Sequence, residues 1–561
     1  MKKVLVFVTV FLLGLGLFAC GNTINTTADS TSTTDNQTTT DNQTTTDNQT
    51  TANPIDSLKL NSKYGSYYQI FVRSFADSNG DGIGDIKGIT ENVDYISDLG
   101  FEGIWLMPFT EADSYHGYDV TDYYKVDPDY GTNDDLKELI EACHEKGIKV
   151  IMDFVINHTS QNHEWFQKAV AGEAPYSNYY VFASANDDRV KKYKDYWAQA
   201  KNGKYYYCYF SGSMPDLNYA NKAVRDEVVK IGKFWADLGM DGFRVDGALH
   251  ICGQGEYADG STVKSSINYL TRIREYLEDY YVYDLKREKP YIVTEVYDES
   301  GDQASNFFSA VDSTFDFWCA KKIINAVNST GAATYASSIN GRLNGYRQNA
   351  GEGLEMIDAP FIRNHDMDRP GSLLDSKNKL RMVAEMLLTL EGNPFVYYGE
   401  ELGMKGVKTD GTGGVYDETR RLPFLWGAGN KYQTTWFENS MNEGVATFAE
   451  QKDNPESLYN TYKTLLNLRK SNIALKYGIF ADLTVSDNKS MAAFTRTFVQ
   501  GDYSTQVLVI HNFDNSSSAL PQSLLDIISA NDGKVLYYSY EGYANIMEPK
   551  TTLIIDLGRV E

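Results

Sequence analysis

GFRVDGALH, at residues 242–250, is a short apolar run that leads into a carboxylate, that of Asp246. The pattern recurs in TEVYDES, which contains Glu295, and in FIRNHDMDR, which contains Asp366. If each run is a strand of a (β/α)8 barrel, the three acids share one face, because the carboxyl ends of all the strands lie there. Three carboxylates on one face suit glycoside cleavage, which needs a nucleophile, a proton donor and a group that orients the sugar.

The same strand-like pattern extends through most of the chain after residue 66. Eight apolar runs, separated by amphipathic stretches, read as buried parallel strands. In chain order they are YYQIFVRSF, FEGIWLMPF, IKVIMDFVINH, MDGFRVDGALH, YIVTEVY, STFDFWCA, LEMIDAPFIRNHD and NPFVYYGEELG. This alternation of strand and helix predicts a closed α/β barrel, which we place at residues 58–158 and 219–474.

Two segments depart from this alternation. Residues 159–218 show no clean strand–helix unit and are rich in Tyr, Trp and Phe, so we expect an insertion after the third strand. Most of its aromatic side chains should form a small core, and the alternative is that they are surfaces on which sugars stack. Residues 475–561 alternate with a period of two, which predicts an antiparallel β-domain.

Six segments in this order resemble the signature regions of the α-amylase family. GYDVTDYY, DFVINH and SGSMPDLNY join the three acid-bearing stretches, and the resemblance runs from about Tyr67 to Leu402. It implies a TIM barrel with a domain B after strand 3 and an all-β domain C after the barrel. MPDLN (residues 214–218) lies between the QPDLN of oligo-1,6-glucosidases and the MPKLN of neopullulanases, and so resembles their intermediary group.

The resemblance also assigns roles to the three acids. Asp246 in R-x-D matches the nucleophile of a retaining glycosidase, and Glu295 in V-T-E-V matches the general acid. Asp366 in N-H-D matches a third acid, which binds sugar hydroxyls. Arg244 should point to the same side of its strand as Asp246, since side chains alternate, and a neighbouring guanidinium is expected to lower the pKa of that carboxyl.

Other residues of these segments match sugar-binding positions. Tyr118 corresponds to the aromatic ring that stacks on the sugar in the cleavage subsite, and His158 and His365 correspond to imidazoles that bind the same sugar. Asp153 corresponds to a position with a structural role, so we do not count it as catalytic.

The implied activity is hydrolysis of α-1,4-glucosidic bonds in starch, maltodextrins or related glucans through a covalent glycosyl-enzyme. Gly247 follows the nucleophile where strict α-1,6 oligoglucosidases usually carry Val, which favours α-1,4 cleavage. The alternatives are a transglycosidase (glucanotransferase) and neopullulanase- or cyclomaltodextrinase-type specificity. The intact acids argue against a third alternative, a non-catalytic glycan-binding lipoprotein. We expect a monomer.

DSNGDGIGD (residues 77–85) follows the first strand and resembles a calcium loop, with oxygen donors at positions 1, 3, 5 and 9 and glycine at position 6. Likeness to relatives of the oligo-1,6-glucosidase type implies Ca²⁺ ligands at Asp77, Asn79, Asp81, Asp85 and the Ile83 carbonyl. The alternative is a polar, glycine-rich turn. A second calcium between domain B and the barrel would draw on Asn157, Asp216 and the His250 carbonyl.

The first residues have the features of an export signal. Lys2 and Lys3 precede an apolar run that ends in Leu-Phe-Ala-Cys, which resembles a bacterial lipobox with Cys20 as the lipidated residue. After this signal at residues 1–20, residues 21–57 are of low complexity and predict a disordered tether. We expect an exported lipoprotein, anchored to the membrane by the lipid and facing the cell exterior; a secreted protein is the alternative.

Charge and cysteine content restrict the partners further. The formal net charge of −24 argues against nucleic acid, whose phosphates would repel the chain. The four cysteines after Cys20 show neither C-x-x-C pairs nor metal-binding spacing. Cys143 lies in an amphipathic helical pattern and should be core. For Cys208 and Cys252, unpaired packing is favoured over a disulfide, although an exported protein would permit one.

Overall fold

The computed structural model describes residues 54–560 apart from residues 254–259, 332–333 and 541. The predicted signal peptide with Cys20, and the predicted tether as far as residue 53, lie outside the described residues. The predicted end of the tether is wrong by four residues, since Pro54–Ser57 forms a 3-10 helix. Two residues after this helix, the backbone N–H of Lys59 donates to Oε1 of Gln500 at 2.6 Å, a long-range contact that composition does not reveal.

Eight strands form the barrel. In chain order they are β1 Tyr67–Ile70, β2 Gly103–Leu106, β3 Lys149–Phe154, β4 Gly242–Val245, β5 Tyr291–Thr294, β6 Ser313–Thr314, β7 at residues 359–361 and β8 Phe395–Tyr397. All but β7 lie in one parallel sheet, in the order β6-β5-β4-β3-β2-β1-β8. Parallel bridges from Phe315 to Ala359 and from Phe361 to Phe395 insert β7 between β6 and β8 and close the ring. The predicted (β/α)8 barrel is confirmed.

Side chains from the strands fill the inside of the barrel. Tyr67 stacks on Tyr291 and on Phe395, with 5.3 Å and 4.9 Å between ring centroids. Trp105 and Ile151 belong to the same cluster and are buried. Because this interior is packed rather than open, a ligand can reach the strands only at the rim of the barrel.

Helices cover the outside of the barrel. Asn133–Glu145 begins with a capping box, in which Thr132 and Asp135 bond each other's backbone N–H groups, and it buries Leu136, Leu139, Ile140 and Cys143 on one face. Cys143 is therefore a core residue, as predicted. The other longer helices around the barrel are Ile86–Glu91, Val93–Leu99, Lys222–Asp237, Gly260–Asp279, Phe317–Val327, Tyr335–Asn349, Lys377–Thr389 and Leu458–Ser471.

The insertion after β3 has its own small sheet and two α-helices. Three short antiparallel strands lie at Phe182–Ala183, Trp197–Gln199 and Tyr205–Tyr207. The helices are Glu164–Ala171 and Asp188–Lys192. Most of the aromatic side chains expected to be core are indeed buried: Trp165, Tyr179, Tyr180, Trp197, Tyr206 and Tyr207.

The C-terminal residues form the predicted antiparallel domain. Its five-stranded sheet contains β9 Ile479–Leu483, β10 Met491–Gln500, β11 Tyr503–Asn512, β12 Lys534–Tyr538 and β13 Thr551–Gly558, in the order β9-β10-β11-β13-β12. The helix Gln522–Ala530 lies between β11 and β12. Within the described part of the chain, no helix has the length and apolar character needed to cross a membrane. The four cysteines there are unpaired, as favoured above.

Candidate active site

Arg244 is the centre of the site. It lies on β4, between β3 and β5, and its side chain is fully buried. Its Nη1 donates to Oδ1 of Asp153 at 2.7 Å and to Oδ1 of Asp246 at 2.5 Å. Its Nη2 lies 3.1 Å from Oε2 of Glu295. One guanidinium thus holds carboxylates from the ends of three adjacent strands, and it brings the predicted nucleophile and the predicted general acid together.

Burial raises the pKa of both Asp246 and Glu295. For Asp246 the positive charge of Arg244 opposes this effect without cancelling it. For Glu295 the charge of Arg244 again lowers the pKa, while the charges of Asp246 and Asp366 raise it. The expectation that Arg244 would leave the pKa of Asp246 below its ordinary value is therefore wrong, because removal of the carboxyl from water outweighs the ion pair. The guanidinium still supplies the charge that favours the ionised form of its neighbours.

The pKa of Asp366 is shifted downward, opposite to the pKa shifts of Asp246 and Glu295. It follows β7, and its side chain is 41% exposed, more than the 11% of Asp246 or the 13% of Glu295. Burial acts against its ionised form, but His365 and Arg421 outweigh burial and hold its pKa well below the ordinary value. Nη2 of Arg421 donates to Oδ1 of Asp366 at 3.0 Å. Asp366 is therefore an anion whose side chain is accessible to solvent.

Tyr118 and His365 lie together beside these acids. The Tyr118 hydroxyl is 2.7 Å from Nε2 of His365 and donates to Oδ2 of Asp153 at 3.1 Å. The two rings are nearly parallel, with 5.7 Å between centroids. Nε2 of His365 also lies 3.0 Å from Oδ2 of Asp366. Nδ1 of His365 is 2.8 Å from the Gln69 amide nitrogen, which acts as donor and so assigns the ring proton to Nε2.

His158 is connected to Tyr118 by a hydrogen bond to the Tyr118 backbone. Its Nε2 is 3.0 Å from the Tyr118 carbonyl, to which it donates, and the Asn157 amide lies 3.3 Å from Nδ1. Burial lowers the pKa of His158 to about 4, so the imidazole is neutral near pH 7. The structure therefore brings Tyr118, His158 and His365, and with them the predicted substrate-binding residue Arg244, to the rim that carries the three acids, and their roles toward a sugar stay predictions.

Three residues of the site were not predicted from the sequence. Gln69 lies on β1 and orients His365, whereas Arg421 lies in the loop after β8 and contacts Asp366. Trp105 on β2 lies under the guanidinium of Arg244, 5.0 Å from the ring centroid. Asp153 holds both Arg244 and Tyr118, which agrees with a structural role, and burial raises its pKa to about 7.

The loop at residues 77–85 is tied together by its own polar groups. Asp77 accepts from the backbone N–H groups of Asn79, Gly80 and Gly82 at 2.7–3.0 Å. Asn79 and Asp81 accept from the N–H groups two residues further on, and Asp85 caps the helix that follows. The donor set is entirely oxygen, which is what Ca²⁺ prefers. Within the described part of the chain, however, no group of three or more Asp, Glu, His or Cys side chains is arranged so that it could hold a metal ion.

A pair of unsatisfied oxygens marks the second candidate calcium position. Oδ1 of Asn157 and Oδ2 of Asp216 are both buried and have no hydrogen-bond donor. Burial raises the pKa of Asp216 to about 8. A buried oxygen without a donor is costly, and a cation between the two side chains would satisfy both. These residues therefore fit a metal ion at the place where domain B meets the barrel.

Comparisons with known proteins agree with this geometry. Residues 69–478 match the alpha amylase catalytic domain. Alpha-amylase 3 of Dictyoglomus thermophilum is 38% identical over 458 residues, which cover 80% of this chain and 84% of that protein. A 4-alpha-glucanotransferase of Thermotoga maritima is 33% identical over 419 residues, 72% of this chain and 87% of its own. Among solved structures, an alpha-amylase from H. orenii has a TM-score of 0.74 at 36% identity, covering 88% of this chain and 99% of that one.

Proposed function

Because the chain belongs to the α-amylase family of glycoside hydrolases, we propose that it hydrolyses α-1,4-glucosidic bonds in starch, maltodextrins or related glucans with retention of configuration. The observation that carries this proposal is the shared guanidinium of Arg244. It keeps Asp246 and Glu295 close to each other beside the anionic Asp366. Retaining enzymes need their two carboxyl groups close together, about 5–5.5 Å apart, since an attacking water does not stand between nucleophile and sugar in the first step.

The first step makes the covalent intermediate. A carboxylate oxygen of Asp246 attacks the anomeric carbon, the bond from that carbon to the glycosidic oxygen breaks, and Glu295 gives its proton to the departing oxygen. Burial and the nearby charges of Asp246 and Asp366 raise the pKa of Glu295, which favours the protonated form needed at this moment. Asp366, with Arg421 behind it, accepts hydrogen bonds from the sugar hydroxyls.

The second step releases the sugar. Glu295, now ionised, removes a proton from a water molecule, whose oxygen attacks the anomeric carbon and displaces Asp246 as carboxylate. Tyr118, His158 and His365 line the rim where the sugar must lie during both steps. The neutral imidazole of His158 suits this place, because it adds no positive charge next to the developing cation.

A glucanotransferase uses the same first step and differs only in the acceptor. The similarity to a 4-alpha-glucanotransferase supports this second candidate. Product profiles over time on amylose, pullulan and cyclodextrin test the two, with the anomer of the first product determined by NMR. We expect short maltooligosaccharides of α configuration from amylose. Net production of longer chains would favour the transferase, and a β product would contradict retention.

We also propose that Ca²⁺ binds the 77–85 loop and stabilises the fold. The loop begins two residues after the short helix Val72–Phe75 that follows β1, and its ligands would be the carboxylates and carbonyl named above. When bound, the ion would supply a positive charge to a loop that carries three carboxylates, those of Asp77, Asp81 and Asp85. A ligand that binds only the native state stabilises it by about 2.7 kcal/mol at a concentration one hundred times its Kd.

Asp81→Ala is therefore expected to remove most of the Tm increase that calcium gives the wild-type protein, on the order of a few degrees. Differential scanning calorimetry with excess calcium and with chelator measures it. Asp188→Ala serves as the control, since Asp188 is fully exposed on a helix of domain B and lies outside the loop. If Asp81→Ala keeps the full calcium response, the loop is only a turn.

The N-terminal sequence supports a further proposal, that a lipid on Cys20 anchors the protein outside the cell. Cys20→Ala is expected to move the protein from the membrane fraction to the soluble fraction or to block its maturation. The reason is that the Cys20 sulfur is the atom to which the lipid would be attached. Fractionation followed by immunoblotting measures this, with Cys143→Ala as a control that leaves the signal intact. Membrane association that survives Cys20→Ala would overturn the lipoprotein hypothesis.

A further inference from the structure

Gln69 is a buried amide on strand β1. Its side-chain Nε2 lies 2.8 Å from Nδ1 of His365, and both residues are shielded from solvent, with 2% and 0% of their surface exposed. An amide nitrogen donates and does not accept, so Nδ1 of His365 must be the acceptor. Because a buried donor without an acceptor is costly, this bond fixes the side of the ring that carries no proton.

The opposite orientation of the amide is inconsistent with the other side of the ring. It would place the proton on Nδ1 of His365 and leave a lone pair on Nε2. That nitrogen lies 3.0 Å from Oδ2 of Asp366, so the lone pair would face a carboxylate oxygen. It also lies 2.7 Å from the Tyr118 hydroxyl, whose own proton goes to Oδ2 of Asp153. A proton on Nε2 suits both neighbours.

The charged and titratable groups that face the ring come from several elements. They are Tyr118, Arg244, Glu295, Asp366 and Arg421. Burial and the charges of Arg421 and Arg244 lower the pKa of His365, whereas Asp366 raises it. Tyr118 adds no charge near pH 7, since burial raises the pKa of its hydroxyl. Asp366 thus favours a second proton on the imidazole.

Gln69 opposes that second proton by its geometry. An imidazolium carries an N–H group at each nitrogen. Its Nδ1–H would point at the amide hydrogens of Gln69 and would have no acceptor there. The amide therefore disfavours the charged ring at the nitrogen that is turned away from Asp366.

We propose that Gln69 is a positioning residue of the active site, which holds the His365 proton on Nε2 and keeps the ring neutral in mildly acidic solution. The position of the proton follows from contacts within the chain. Its effect on the reaction rests on the proposed function.

A neutral His365 matters most for the proton donor. A positive charge on His365 would lower the pKa of Glu295, and less of Glu295 would then carry the proton that the departing oxygen needs. It would also add positive charge to the rim where the sugar becomes cation-like in the transition state. Because Gln69 opposes this charge, cleavage should continue to a lower pH than it would with another residue at position 69.

Two substitutions test this role. Gln69→Met removes the donor and nearly keeps the length of the side chain, and Gln69→Glu offers an acceptor instead. Without the donor, the pKa of His365 should rise toward its ordinary value of about 6.5, and a carboxylate should raise it further. The kcat/KM of Gln69→Met on maltotetraose, divided by that of wild type at the same pH, should be about tenfold lower at pH 5 than at pH 7.5. For Gln69→Glu this ratio should start to fall at a higher pH.

Gln506→Met is the matched control. Gln506 lies on β11, and its Nε2 donates to Oγ1 of Thr497 at 2.7 Å. The same substitution therefore removes an amide donor from the C-terminal sheet and not from the active site. Its rate relative to wild type should not change with pH.

NMR of protein labelled with nitrogen-15 in histidine observes the proton directly. The chain has seven histidines, and the signals of His365 are those that His365→Gln lacks. In wild type we expect a neutral ring with its proton on Nε2 from pH 7.5 down to pH 5. In Gln69→Glu we expect an imidazolium at pH 6.

A wild-type His365 that carries its proton on Nδ1, or that is an imidazolium at pH 6, would overturn the inference. So would folded Gln69 variants in which the His365 spectrum stays that of wild type, whatever happens to the rate. If neither variant folds, the wild-type spectrum still decides. A wild-type protein that cleaves no glucan would instead overturn the proposed function and leave the NMR result standing, so the two failures are distinguishable.

Discussion

Asp246→Asn is expected to reduce turnover of maltooligosaccharides by about 10⁴-fold or more, an effect typical of losing a nucleophile. The amide has nearly the same shape but no anionic oxygen to form the ester with the anomeric carbon. It also replaces one of three carboxylates around Arg244 by a neutral group. Initial rates on maltotetraose measure the loss, and a thermal melt near that of wild type shows that the fold is intact.

The control for this variant is Asp298→Asn, which alters a carboxylate in the loop that follows Glu295. Asp298 accepts hydrogen bonds from the backbone N–H and the hydroxyl of Ser300 and from the backbone N–H of Gln303, rather than from Arg244. It should keep turnover close to wild type. If Asp246→Asn retains a tenth of wild-type turnover, Asp246 is not the nucleophile.

Glu295→Gln is expected to separate the two chemical steps. A glucan needs a proton on its departing oxygen, and Gln cannot supply one, so kcat on maltotetraose should fall about 10³-fold or more. Fluoride needs little help from an acid when it leaves. With α-maltosyl fluoride the variant should therefore release one equivalent of fluoride in a burst and then slow, because no base activates water for the second step.

Two measurements distinguish this outcome from general damage. Intact-protein mass spectrometry should find the maltosyl ester, and digestion should place it on Asp246. Azide, an anion that needs no base, should restore turnover of the fluoride and yield maltosyl azide of α configuration. Absence of both the burst and the azide effect would mean that Glu295 is not the general acid.

Much of the barrel is predictable from sequence because its signals are local. Each strand is a short apolar run, and two of the three acids follow their strands directly, Asp246 after β4 and Glu295 after β5. Once the eight runs are in order, barrel closure places these ends on one rim. The period-two pattern after residue 475 likewise identifies the C-terminal antiparallel domain from neighbouring residues alone.

The sequence by itself therefore determined the barrel, its three acids and the segments that surround them. Only the tertiary structure decided which side chains meet at long range: that Arg244 joins Asp153 and Glu295, that Arg421 reaches Asp366, and that Gln69 donates to His365. It also decided that burial outweighs the ion pair in the pKa of Asp246. Contacts and burial depend on residues that lie tens to hundreds of positions apart in the chain. Together these residues set the local dielectric around each carboxyl group, and no short motif encodes that dielectric.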